Sequence, residues 1–195
     1  MRSAPWFRYA QLMVGLTVFG SGIGAMIRSD LGLPPWDVFH QGVSFRTPLT
    51  IGTATIVTSF VVLLAWIPLR ERPGVGTLAN AVTIGIVVDV FLALVGEPAN
   101  NWERWGLLLG GLAVVGIGSG LYIGARLGPG PRDGLMTGIA KRGPSIRLAR
   151  TAVEALVLAA GWALGGTVGV GTLVFALGIG PIVQFFLPRF DLAAP

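Results

Sequence analysis

The sequence predicts an all-α fold, a polytopic bundle of membrane-spanning helices, on three observations. Hydrophobic residues make up 53% of the chain and charged residues 12%, against about 25% charged residues in an ordinary soluble domain. Mean hydropathy is +0.75. That much apolar surface cannot be hidden inside a globule of 195 residues, so lipid is the expected solvent. The apolar residues also gather into stretches close to the length needed to cross a bilayer, about 20 residues. Finally, the chain reads as a tandem duplication.

Two blocks carry the duplication. Leu31-Gly32-Leu33-Pro34-Pro35-Trp36-Asp37 returns 96 positions later as Leu127-Gly128-Pro129-Gly130-Pro131-Arg132-Asp133, and Gly20, Gly22, Gly24 and Ile27 meet Gly116, Gly118, Gly120 and Ile123 at the same offset. Glycines match easily by chance in a chain with 30 of them. The second block settles this: Gly74-Val75-Gly76-Thr77-Leu78 matches Gly169-Val170-Gly171-Thr172-Leu173 at offset 95, continuing through Ala81, Ile84, Gly85, Val88 and Phe91. One deletion separates the two blocks.

Taken in order, the charge-free stretch Tyr9–Ile27 follows Arg2 and Arg8. It resembles a signal sequence, but no small-residue cleavage site with a soluble domain follows, and it is kept as a helix. Residues 28–46 are polar, with Arg28, Asp30, Asp37, His40 and Arg46; the part from 34 to 48 is too short and too polar for a span and suits a re-entrant or interfacial half-helix. Thr47–Pro68 is the second span, and Gly74–Val95, with Asp89 inside it, is the third. A polar turn from Glu97 to Arg104 leads into Trp105–Ala125. The basic segment Arg126–Arg150 contains the second break, then Thr151–Trp162 and Thr172–Leu187 complete the set. The expectation is a single transmembrane domain, 1–195, of six spans. They form two inverted three-helix repeats, about 9–95 and 105–187, with broken or re-entrant segments near 31–44 and 127–140.

The inversion follows from counting. Three spans per repeat is an odd number, so the second copy enters upside down relative to the first. With the N-terminus cytoplasmic, 11 of the 14 Lys and Arg residues lie on that side and only Arg28, Arg46 and Arg104 on the other. Basic residues collect on the cytoplasmic side, so both termini are expected there. The net charge of +5 is therefore a topology signal, and no nucleic-acid role is expected. With no cysteine and one histidine, neither a thiol nucleophile, a disulfide framework nor a zinc site is expected. No ATP-binding, dinucleotide or hydrolase motif is present. We expect no catalytic residues, no metal and no cofactor.

Candidate ligand contacts lie in the repeated breaks. Pro35 and Pro131 suit the first turn of a helix, where a missing N–H costs nothing. Asp37 and Asp133 then fall in the same turn, where the helix dipole favours a carboxylate. Each acid either stabilises its own helix start or contacts a substrate or ion where the two half-helices meet. His40 follows Asp37 by one turn and has no counterpart, position 136 being Met; it is an interfacial residue or a proton relay. Asp89 and its repeat partner Gln184 are polar residues inside apolar spans, and an acid at membrane depth is functional by default. Arg28, Arg126 and Arg132 flank the breaks and would favour an anion. Glu154 pairs with Arg150 four residues earlier. Gly20-x-x-x-Gly24 and Gly116-x-x-x-Gly120 mark close helix packing.

The run Leu31 to Gly42 (Leu-Gly-Leu-Pro-Pro-Trp-Asp-Val-Phe-His-Gln-Gly), with Gly74-Val75-Gly76-Thr77 and Ile84-Gly85 after it, resembles the YczE/YyaS/YitT-type bacterial integral membrane proteins over residues 10–187. The resemblance implies a multi-pass protein of the bacterial cytoplasmic membrane and brings no substrate or catalytic residue with it. The reading that unites these observations is a carrier moving a small polar or charged, even anionic, solute by alternating access. Its partners would be the bilayer, a small-molecule or ion substrate, and a second copy of the chain, since six short spans make a small bundle. The rival reading is a non-transporting accessory or regulatory protein that binds a partner. A lipid-acting membrane enzyme is disfavoured by the lack of a matched acid/base or metal cluster.

Overall fold

The computed structural model describes residues 5–192, so Arg2, which enters the charge count, lies outside the described residues. Eight helices follow one another: α1 Pro5–Ser29, α2 Pro35–Arg46, α3 Ile51–Leu69, α4 Val75–Leu94, α5 Asn101–Gly124, α6 Pro131–Ala140, α7 Ile146–Ala163 and α8 Val170–Phe190. There is no strand among the described residues. The last four helices begin 95 or 96 positions after the first four, the same spacing as the sequence match. Six of the seven left-handed backbone positions also pair: Asp30 with Arg126, Gly32 with Gly128, and Arg70 with Gly165, leaving Gly143 without a counterpart among the described residues.

α1, α3, α4, α5 and α8 are long and apolar enough to cross a membrane, and the chain is a multi-pass helical membrane protein. α7 begins at Ile146 rather than Thr151, so Arg147 and Arg150, expected in a loop, lie in its first turns. Those charges keep α7 out of the five. It nevertheless joins the same two ends of the bundle: Arg142, just before it, donates to the Pro68 carbonyl at the end of α3, and Arg46 donates to Leu164 just after it.

The core is the crossing of α1 and α5. A Cβ added to Gly15 would lie 2.6 Å from Tyr122 N, one on Gly22 2.7 Å from Val115 N, one on Gly118 2.5 Å from Phe19 N and one on Gly111 2.8 Å from the Gly22 carbonyl. The partner's number falls as the first rises, so the two helices run antiparallel. Lipid gives no hydrophobic drive between helices, and small residues let backbones touch. Leu12, Leu16, Met26, Leu108 and Val115 fill the remaining space. The outer glycines serve a second contact: Gly20 and Gly24 meet Val87 and Phe91 of α4, while Gly116 and Gly120 meet Ile182 and Phe186 of α8.

Each break docks on the opposite half of the chain. Gly171 N donates to the Leu31 carbonyl at 2.7 Å, and Gly76 N donates to the Leu127 carbonyl at 2.8 Å. The Gly-Val-Gly-Thr motif that opens α4 and α8 is thus the receptor for the other repeat's break. Glycine is required on both sides. Gly32 and Gly128 adopt φ of 111° and 127°, which L side chains avoid, and a Cβ on Gly171 would sit 2.3 Å from the Gly32 oxygen.

The short helices α2 and α6 leave these breaks and turn back. α2 returns to the end from which α1 emerged, where Arg46 meets Leu164. α6 returns to the opposite end, where Lys141 pairs with Glu71 at 2.7 Å. The two short helices thus end at opposite ends of the bundle. α2 packs on α7 and α6 on α3, with large and small residues exchanged: Gly161 accepts the Val38–Phe39 backbone, and Gly134 accepts the Trp66 ring.

Candidate functional site

Both half-helices start with proline and with no side-chain cap, since Pro34 and Gly130 occupy the N-cap positions. Their first turns line one cavity of about 320 Å³, through Pro34, Pro35, Trp36 and Asp37 from α2 and Gly130, Pro131, Arg132 and Asp133 from α6. The two ends thus meet inside the bundle. Phe19, Ile23, Ile84, Val115, Phe175 and Ile179 form the apolar wall, and Asn80, Ser119, Tyr122 and Gln184 add polar groups. Arg150 and Glu154, paired at 2.9 Å, line it as well, and their exposure of 56% and 32% marks where the cavity reaches the surface.

Asp37 is the most enclosed charge. It is 2% exposed, and its Oδ1 lies 3.2 Å from His40 Nδ1 and 3.8 Å from the Arg132 guanidinium. Its Oδ2 is buried with no hydrogen-bond partner among the described residues, as is the neighbouring Trp36 Nε1. A buried polar atom left unpaired is costly, and such groups in a native structure mark strain or a ligand position. His40 is fully buried behind the carboxylate. The Thr55 hydroxyl donates to the Ile51 carbonyl and lies 3.0 Å from His40 Nδ1. Nδ1 is thus the protonated nitrogen, donating to Thr55 and Asp37, and the ring holds the carboxylate from behind rather than reaching the cavity. Arg132 lies over the Trp36 ring, 5.2 Å from its centroid. On the opposite wall, the Tyr122 hydroxyl donates to Asp133 Oδ2 at 3.1 Å.

The structure separates the remaining candidates. Asp89, expected at membrane depth along the path, lies near the end of α4 and outside the cavity lining. It accepts from Thr50 Oγ1 at 2.5 Å and from Gly52 N at 2.8 Å, holding the start of α3. Asp89→Ala is therefore expected to lower stability by about 1–2 kcal/mol, the value of a helix N-cap, as a drop in thermal unfolding temperature in detergent. Its repeat partner Gln184 does line the cavity. Arg28 is tied to Glu97 and to the Leu92 carbonyl, and Arg126 binds Asp191 through two contacts of 2.6 and 2.7 Å. Both basic residues staple helix ends and lie outside the cavity lining.

Two groups escaped the sequence reading. Trp36 was part of the repeated motif but received no role of its own. Tyr122 shares a helix face with Val115 and Ser119, at spacings of seven and three, a pattern that reads as core packing unless the facing Asp133 is known.

The same contacts show an asymmetry. Gly85 approaches the Gly52 carbonyl, a Cβ there lying 2.4 Å from it, and α3 packs on α4. The matching Gly180 has no heavy atom within 4 Å of such a Cβ, and α7 barely touches α8. α3 and α4 thus pack closely through these residues, and α7 and α8 do not.

A family model described as a family of unknown function (DUF6198) matches residues 6–188. The chain belongs to this family. An uncharacterised protein of Haemophilus influenzae is 40% identical over 177 residues, covering 90% of this chain and 81% of that one. The uncharacterised membrane protein YczE of Bacillus subtilis is 34% identical over 194 residues, covering 97% and 89%. YyaS of the same organism is 29% identical over 188 residues, covering 93% and 92%. No solved structure matches the DUF6198 chain.

Proposed function

We propose that this DUF6198 protein is a carrier of two inverted repeats, moving a small polar or charged solute through the cavity by alternating access, without catalysing a reaction. The observation that carries the reading is the meeting of two half-helix starts, Pro35-Trp36-Asp37 and Pro131-Arg132-Asp133, in one cavity between the repeats. Broken helices at matching places in inverted repeats, with the site at their interface, form a recurring carrier architecture. The antiparallel packing of the equivalent helices α1 and α5 supports the inversion, with α7 as the sixth span beside the five apolar helices. The basic residues around Arg70, Arg126 and Arg142 support a cytoplasmic position for the end bearing them.

The asymmetry supports alternating access. In this arrangement α3 and α4 are clamped through Asp89, Gly52 and Gly85, while a Cβ on Gly180 of α8 would meet nothing within 4 Å. Exchanging the two arrangements between the repeats closes α7 on α8 and opens α3 from α4, exposing the same cavity to the opposite side. The required test is counterflow into proteoliposomes with a panel of small cations, anions and neutral polar solutes. At least one solute accumulates above protein-free liposomes if the reading holds; accumulation of none refutes it.

A further inference from the structure

The carrier reading leaves the substrate class open, and the cavity's chemistry narrows it. We propose that the cavity takes a small organic monocation, an ammonium or guanidinium group on an apolar body, with Asp37 as its counter-ion, and that Arg132 is the tethered competitor for the same seat. The inference rests on the cavity being the carrier's substrate site.

Charge balance comes first. Three carboxylates line the cavity, Asp37, Asp133 and Glu154, against two guanidinium groups, Arg132 and Arg150. Arg150 is already bonded to Glu154 at 2.9 Å, so the inner part holds two acids and one base. An anion would enter beside this excess of carboxylate. The half-helix starts do not reverse the balance, because Asp37 and Asp133 each occupy the first turn of their own helix and already answer its dipole.

The second argument is the unmet valence of Asp37. A guanidinium that bonds a carboxylate does so at about 2.7–2.9 Å, whereas Arg132 stands 3.8 Å from Oδ1. Oδ2 has no hydrogen-bond partner among the described residues. A carboxylate 2% exposed with one oxygen unpaired is poised for a donor that carries positive charge. Arg132 marks where that charge goes, since its guanidinium already stacks on Trp36 at 5.2 Å. Aromatic faces attract cations, most strongly when both are desolvated. The wall of Phe19, Ile23 and Ile179 suits an apolar body attached to that charge, and the volume is that of a small-solute site.

Isothermal titration of the purified full-length protein tests this with small alkyl probes of opposite charge: n-propylammonium and n-propylguanidinium chlorides against sodium propionate, at equal ionic strength. The two cations are expected to bind and propionate not to bind. Asp37→Asn should weaken cation binding at least tenfold while its unliganded melting temperature stays near that of the wild type. Arg132→Gln should strengthen it several-fold, a gain that misfolding cannot produce. Propionate binding in preference to the cations overturns the substrate class and leaves the cavity as a site. Absence of cation binding, or affinity unchanged in Asp37→Asn, overturns the proposal outright. Cation binding unaffected by Arg132→Gln removes the competitor role. Cation binding without counterflow of any solute upholds the substrate class and refutes transport instead.

Discussion

Asp37→Asn is expected to reduce uptake of the solute that the wild type carries by roughly a hundredfold at low concentration, with the protein still folded. The size follows from burial. Removing one partner of a buried, hydrogen-bonded charge pair costs about 2–5 kcal/mol, and each 1.4 kcal/mol is about a factor of ten. The fold should survive because the Asn side-chain oxygen can still accept from His40 Nδ1, which now lies 3.2 Å from the Asp37 carboxylate. Uptake in proteoliposomes and the melting temperature in detergent would be measured on the same preparation. Wild-type uptake by the variant would remove Asp37 from the path.

Gly171→Val is expected to be the most destabilising single change among the Gly-Val-Gly-Thr glycines that receive the two breaks. Its Cβ would lie 2.3 Å from the Gly32 carbonyl oxygen and 2.9 Å from Leu108 Cδ1. The first of these is backbone, pinned by the bond from Gly171 N to the Leu31 carbonyl, so no side chain can rotate to make room. Overpacking a fitted interior costs about 1–3 kcal/mol and occasionally more; losing the docking of the break adds to that, and we expect at least about 3 kcal/mol. Gly180→Ala is the control, since its Cβ would meet nothing within 4 Å, and in a helix interior it should leave stability unchanged or raise it by up to about 1 kcal/mol. Thermal unfolding followed by size-exclusion chromatography separates the two. A Gly171→Val protein as stable as the wild type would mean that the breaks are not held where the structure holds them.

Much of this was legible in the chain. The offset of 96 between Pro35 and Pro131 placed both half-helix starts, because proline at the first helical position and an acid two residues later are local signals. The glycine pairs at 20 and 24 and at 116 and 120 announced close packing, although not which neighbour they face. What stayed hidden is non-local. The docking of Leu31 on Gly171 and of Leu127 on Gly76 joins backbone groups far apart in sequence, and a backbone acceptor leaves no residue-type signal. Asp89 looked like a pathway acid because hydropathy records the apolar run around it but not that α3 starts beside it, with Thr50 and Gly52 as donors. Arg28 and Arg126 looked like anion ligands because their acidic partners, Glu97 and Asp191, lie in segments read as a loop and a tail.

The central claim is that the halves cross the bilayer in opposite senses, so that α2 and α6 enter from opposite faces and meet at Asp37 and Asp133. The chain has no cysteine, so single cysteines can be labelled without background. Pro48→Cys, just beyond the end of α2, and Lys141→Cys, just beyond the end of α6, are both exposed positions. In sealed vesicles of known orientation, an impermeant maleimide is predicted to label them from opposite faces, Pro48→Cys from outside and Lys141→Cys from the cytoplasmic side. Labelling of both from the same face would contradict the account.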